Sequence, residues 1–239
     1  MDKRDRIELA ELSREILRTN PMALFGERHY RLQPGDSLPQ PGYVGLEYER
    51  KGILLIGMNP GGKNSSEISS NDEEQYSILK QIRSSSRGAT LESFDRLNEA
   101  LSRTMPTWKL FNNYVRRLLD QCDTELVSVA YLNLLKWRTM NSSGLGSLYS
   151  ISWEAHTQRQ IELLQPSTIV CLGTGVARFV NGKLPGTKIH TIPRMRGDNI
   201  GRKGLMAIAS ASRSIKRAYY RHRLSNADGW MDGFHSSSK

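Results

Sequence analysis

The chain has 239 residues, enough for one medium α/β domain with a real core, and less readily two small ones. Lysine and arginine number 34 against 24 acids, a net charge of +10, which favours a polyanionic partner and places nucleic acid ahead of a membrane surface. Two cysteines, Cys122 and Cys171, exclude an iron–sulfur or zinc cage and a disulfide framework; a reducing cytoplasm is expected, with no metal and no cofactor. The charged start MDKRDRIELAEL lacks the apolar stretch of a signal peptide, and no apolar run is long enough to span a bilayer.

In chain order, Leu9, Leu12 and Ile16 predict an amphipathic helix over 5–18. Residues 19–50 are rich in proline, glycine and aromatics and read as irregular surface structure. Ile53 to Ile56 is a short buried strand that runs into Gly57-Met-Asn-Pro-Gly61. Pro60 stiffens that turn and the glycines permit close approach. Residues 62–72 read as a polar loop. Asp72-Glu73-Glu74 opens a helix with acids in its first turn, where the helix dipole favours them.

Helices follow near 91–103 and 108–121, then a buried strand from Leu126 to Leu132 ending at Asn133. A helix near 153–164, Pro166, the strand Thr168–Leu172 and a short helix near 175–181 form the next unit. The last strand is Lys188 to Ile192, and a basic helix over about 203–222 closes the chain. Strands alternating with helices predict a three-layer α/β/α sandwich around a four-stranded parallel sheet. The expected layout is one domain over 1–224, with 1–50 as an N-terminal extension, a frayed tail over 225–239, and a monomeric state.

The glycine turn admits two readings. Gly57-x4-Gly62-Lys63-Asn64 falls one residue short of a phosphate loop, since Asn64 stands where a Ser or Thr hydroxyl should bind Mg²⁺. A nucleotide triphosphatase is therefore the alternative. The other reading compares several positions. Gly57-Met-Asn-Pro-Gly61 after an apolar strand resembles the first motif of the uracil-DNA glycosylase superfamily, nearest its single-strand-selective and mismatch-directed branches. The strand VSVAYLN ending at Asn133, with Leu-Leu-Lys-Trp-Arg after it, resembles the superfamily's base-reading strand. The stretch Gln160 to Ala177 resembles its third unit. These cover about residues 50–215 in the expected order.

The resemblance implies a DNA glycosylase that flips a nucleotide out of the stack and hydrolyses its glycosidic bond, leaving an abasic site. Asn59 would orient the attacking water, and Asn133 would pair with a pyrimidine edge. Gly57, Met58, Pro60, Gly61 and Tyr76 would complete the base pocket. Gly61 stands where the strict uracil branch has an aromatic side chain, so a 5-modified pyrimidine is expected, and removal of hypermodified bases from phage DNA is consistent with that space. Lys63, Lys136, Arg138, Arg194, Arg196, Arg202 and Lys203 are candidate DNA contacts, with Met195 as a wedge. The chain departs from the superfamily in its last motif, normally His-Pro-Ser. Ile192 stands where that histidine belongs and His190 lies two residues upstream. Either His190 takes the role or the chain lacks it, which leaves a DNA-binding module without catalysis open.

Overall fold

The computed structural model describes residues 1–32, 38–60, 70–86, 88–140 and 144–231. A five-stranded sheet runs through its centre in the order β1-β3-β2-β4-β5. Strands β2 (Ile53–Gly57), β3 (Val129–Asn133), β4 (Thr168–Leu172) and β5 (Ile189–Ile192) are the four expected parallel strands. The sheet is nevertheless mixed, because β1 (Tyr43–Val44) pairs antiparallel with β3 at the edge. This corrects the purely parallel expectation. Two residues inside a proline- and glycine-rich stretch carry too little periodicity to read as a strand.

The runs Ile53–Ile56, Val129–Leu132 and Thr168–Leu172 are buried throughout, which is why they read as unbroken apolar segments and not as alternating ones. Leu55, Tyr131, Val170 and Ile192 face one helical layer; Leu54, Ala130, Ile169 and Cys171 face the other. Each fully buried Leu or Ile contributes about 1.5–3 kcal/mol relative to exposure.

The first layer is built from α3 (Ser70–Ser84), much of α4 (Thr90–Thr104), α5 (Arg116–Cys122) with the π-helical segment Phe111–Val115 before it, and α9 (Arg202–Met231). The second layer is built from α1 (Lys3–Arg18), α7 (Gln158–Leu164) and α8 (Thr174–Lys183). Asp2 caps α1 by accepting from the Asp5 amide at 2.8 Å, so the helix starts at Lys3. The expected helix near 153–164 begins earlier. It runs from α6 (Gly146–Ser152) through a π-helical segment, Trp153–Thr157, into α7. The last helix continues to Met231, past its expected end and into the segment expected to fray.

Residues 19–32 are not irregular. Asn20 caps α2 (Pro21–Phe25), with Pro21 at the first position, and a 3₁₀ turn follows over Gly26–Arg31. This segment packs a third, smaller core of Phe25, Leu32, Leu135, Trp137, Leu145 and Leu148 beside the end of β3. Among the described residues no helix is long and apolar enough to cross a membrane. Both cysteines are free and buried.

Candidate functional site

All four parallel strands finish at one rim of the sheet. Their pairing places Gly57 directly opposite Asn133 and continues past the strand ends, because the Leu134 amide donates to the Gly57 carbonyl and the Leu135 amide to that of Met58, each at 3.0 Å. The two segments leave the sheet together, with Asn59 two residues past the end of β2 and Asn133 the last residue of β3. An open α/β sheet places its ligand beyond the carboxyl ends of its strands.

The Asn59 carboxamide has a defined orientation. Its Nδ2 donates to Thr139 Oγ1 at 3.0 Å and to the Pro60 carbonyl at 3.3 Å. The Pro60 oxygen can only accept, so the NH₂ must lie on that side. Both amide hydrogens are used, and among the described residues nothing donates to Oδ1. Asn133 has the opposite polarity. It is 6% exposed, and its Oδ1 accepts a long hydrogen bond from Tyr131 Oη at 3.4 Å, while its NH₂ has no partner among the described residues. Burial pushes the Tyr131 hydroxyl up to about 12, so it stays a donor across physiological pH.

Glycine is required at position 57 by the same close approach. A Cβ there would press into Tyr131 Oη and lie 2.6 Å from Asn133 Oδ1. Tyr131 and Thr139 are thus the two partners that set the carboxamides, and neither was foreseen. Tyr131 could have been found as the residue two before Asn133, on the same strand face. Thr139 carries no comparable signal.

His190 is not brought to Asn59. It pairs with Val170 on the far edge strand, while Ile192 pairs with Leu172 at the rim and is fully buried. From strand spacing, His190 lies roughly 10 Å across the sheet from β2 and ~7 Å below the rim. Its Nε2 is buried with no partner among the described residues, and burial, then the nearby Lys188, lowers its proton affinity. Tyr76 belongs to the packing of the first layer, and its hydroxyl accepts from the Leu38 amide at 3.0 Å. A cavity of about 430 Å³ opens beside that contact, lined by Leu38, Lys80, Arg83 and Ser84, and neither carboxamide lines it. Met58 packs partly buried against the second core. Gly61 and Lys63 lie outside the described residues.

Lys136 is a correction. It was expected to reach phosphate, yet it is 0% exposed and its Nζ donates to the Asn133 main-chain carbonyl at 2.9 Å. The apolar neighbours Leu134, Leu135 and Trp137 take it inside. Burial lowers the ammonium to about 7. His156 lies under the same turn, its ring 5.9 Å from that of Trp137. Burial, then the Lys136 charge, lowers it to about 4, so it is neutral at pH 7. Ser152 Oγ, His156 Nε2 and Gln160 Oε1, four residues apart along one helix, are buried without partners among the described residues, a pattern that internal water commonly satisfies.

The surface around the rim is of two kinds. After β5, Arg194 pairs with Asp198, and Asp198 itself adopts a left-handed backbone (φ 57°). The Asn113 side chain donates to the Asp198 carbonyl at 2.7 Å, Tyr114 Oη donates to that of Asn199 and accepts from the Met195 amide at 3.1 Å. Held by these contacts, Met195 stands 55% exposed, followed by exposed Arg202, Lys203 and Met206. The Arg196 side chain lies outside the described residues. On the β3 side, Thr139 bridges to Leu32, and the Met140 amide donates to the Arg31 carbonyl at 3.0 Å. This sets Tyr30 (63% exposed, with the Arg31 guanidinium 5.7 Å from its ring centre) and Met140 (64% exposed) next to the turn that holds Asn59; Arg138 is half-buried. No protein-family model matches the chain, and no curated protein is similar to it.

Proposed function

We propose that the protein is a monofunctional, metal-independent DNA glycosylase acting on uracil or, by preference, a 5-modified pyrimidine. The observation that carries this reading is the pairing of two oppositely presented carboxamides at adjacent strand ends: among the described residues, the oxygen of Asn59 and the NH₂ of Asn133 have no partner. The oxygen suits a water molecule that must attack the sugar C1′. It cannot take up a proton at neutral pH, so it orients the water and gives the rate no pH limb of its own. The NH₂ suits an acceptor on a pyrimidine, such as O4 or O2 of uracil or N3 or O2 of cytosine. It does not by itself choose between them.

DNA is the partner that this surface fits. Met195 on one side of the rim and Tyr30 with Met140 on the other are exposed apolar or aromatic groups accompanied by cations, suited to contact with unstacked bases and phosphates. Excision is tested with oligonucleotides carrying uracil, 5-hydroxymethyluracil, 5-hydroxymethylcytosine or its glucosylated form, single- and double-stranded, scored for abasic product. The buried Ile192 at the rim, where the superfamily has a histidine, supports a second reading as a DNA-binding module without catalysis. That module would bind the same oligonucleotides in a salt-dependent way and yield no product.

A further inference from the structure

We infer that Lys136 is a positioning residue for the base-reading carboxamide: its Nζ holds the main-chain carbonyl of Asn133, and so sets the angle at which the Asn133 side chain meets the flipped base. The inference rests on the glycosylase reading for its consequence and on packing for its cause. Lys136 is fully buried, and a lysine is almost never so without a paired acid. Among the described residues its one hydrogen-bond acceptor is a neutral carbonyl, that of Asn133. Asn133 is the last residue of its strand, and its carbonyl belongs to the turn where chain direction changes, so a tie to that oxygen restrains the residue's orientation.

Among the described residues, the groups on the elements packed around this amine are few. The turn 57–60 and the segment 38–42, whose Gln40 amide donates to the Lys136 carbonyl at 2.7 Å, carry no titratable side chain. The helix over 146–164 contributes His156, held neutral down to about 4. Its Glu154, Arg159 and Glu162 are exposed and bonded to Lys183, Glu15 and Gln158. Glu27 and Arg28, next to the Phe25 that packs on Trp137, are exposed, and His29 bonds the Gly26 carbonyl. Tyr131, on β3, stays protonated to about 12. Burial alone brings the Lys136 ammonium down to about 7. Below that pH the tie is a charge-assisted hydrogen bond; above it, a neutral amine makes a weaker one.

The test reads the Asn133 side-chain NH₂ by ¹⁵N NMR across pH 5–9, beside single-turnover excision of the best oligonucleotide substrate. In the unaltered protein the NH₂ signal shifts with a midpoint near 7, and excision falls about tenfold from pH 6 to 9. Lys136→Met keeps the bulk and removes the tie: the signal no longer titrates, excision is about tenfold down at pH 6 and flat with pH, and DNA affinity is unchanged. Lys136→Gln restores a donor that does not titrate, so excision recovers in part and stays flat. An Asn133 signal that does not move with pH, or moves equally in Lys136→Met, overturns the inference. A signal that titrates in a protein that excises nothing leaves the tie standing and removes the glycosylase reading instead.

Discussion

The β2–β3 half of the rim is closed by hydrogen bonds: Asn59, partly buried, is fixed by Thr139 and Pro60, Asn133 by Tyr131, and the turn that follows Asn133 by Lys136. The β5–α9 half is ionic and open. Its loop is held by Tyr114 and Asn113 from beneath, while Met195, Arg202 and Lys203 face outward. The first half restrains side chains to a single geometry, which hydrolysis at a defined atom requires. The second presents charge and apolar surface on a braced loop, which suits gripping a polymer of any sequence. His190, on the edge strand β5 but below the rim, belongs with neither.

The sharpest way to break this comparison is to cut the rigid half. Asn59→Ala is expected to lower excision by about 10²–10³, the loss typical of removing one preorganised polar group from a reacting centre. Dissociation constants for DNA are expected to stay within about threefold, as measured by fluorescence anisotropy. Gly57→Ala adds a Cβ against Tyr131 and Asn133; about 1–3 kcal/mol of stability is expected to be lost in urea unfolding, with excision lost alongside.

Lys136 supplies a prediction on stability. Its folded value, about 7, lies below the 10.5 of the unfolded chain, so between these pH values the unfolded state binds more protons. Its burial therefore destabilises the fold fully below about pH 7, and the penalty is relieved as pH rises toward 10.5. Lys136→Met is expected to be more stable than the unaltered protein at pH 6, by about 1–4 kcal/mol, with the gap closing at high pH.

Smaller effects are expected from the open half. Arg202→Ala and Lys203→Ala should each reduce the slope of log affinity against log salt by about one, with little change in single-turnover rate. His190→Ala is expected to change excision less than about threefold, since its strand position keeps it from Asn59. A loss as large as that of Asn59→Ala would place His190 in the reaction and undo the division between the halves.

What was legible in the sequence follows the same division. The four parallel strands were readable because strands covered on both faces are continuous apolar runs, and the two carboxamides because each ends such a run. Lys136 was misread as a surface cation because its charge was weighed without its neighbours. It interrupts the run Leu134-Leu135-x-Trp137, three residues after Asn133, and that setting is the signal of a buried amine. The edge strand β1 and the Thr139 contact depend on segments distant in sequence, and nothing local to either residue encodes the partner. Whether His190 could take the missing histidine's place was open from the sequence and turns on strand register: two residues in a strand keep the face but drop one row, and the row decides what the ring can reach.

The most direct test of the central claim compares abasic-site formation by the unaltered protein, Asn59→Ala and Asn133→Ala on one set of uracil and 5-modified pyrimidine oligonucleotides. Product from at least one base is expected with the unaltered protein, and a rate at least about a hundredfold lower with either variant at matched DNA occupancy. Wild-type rates in both variants, or no product from any base with the unaltered protein, would contradict it.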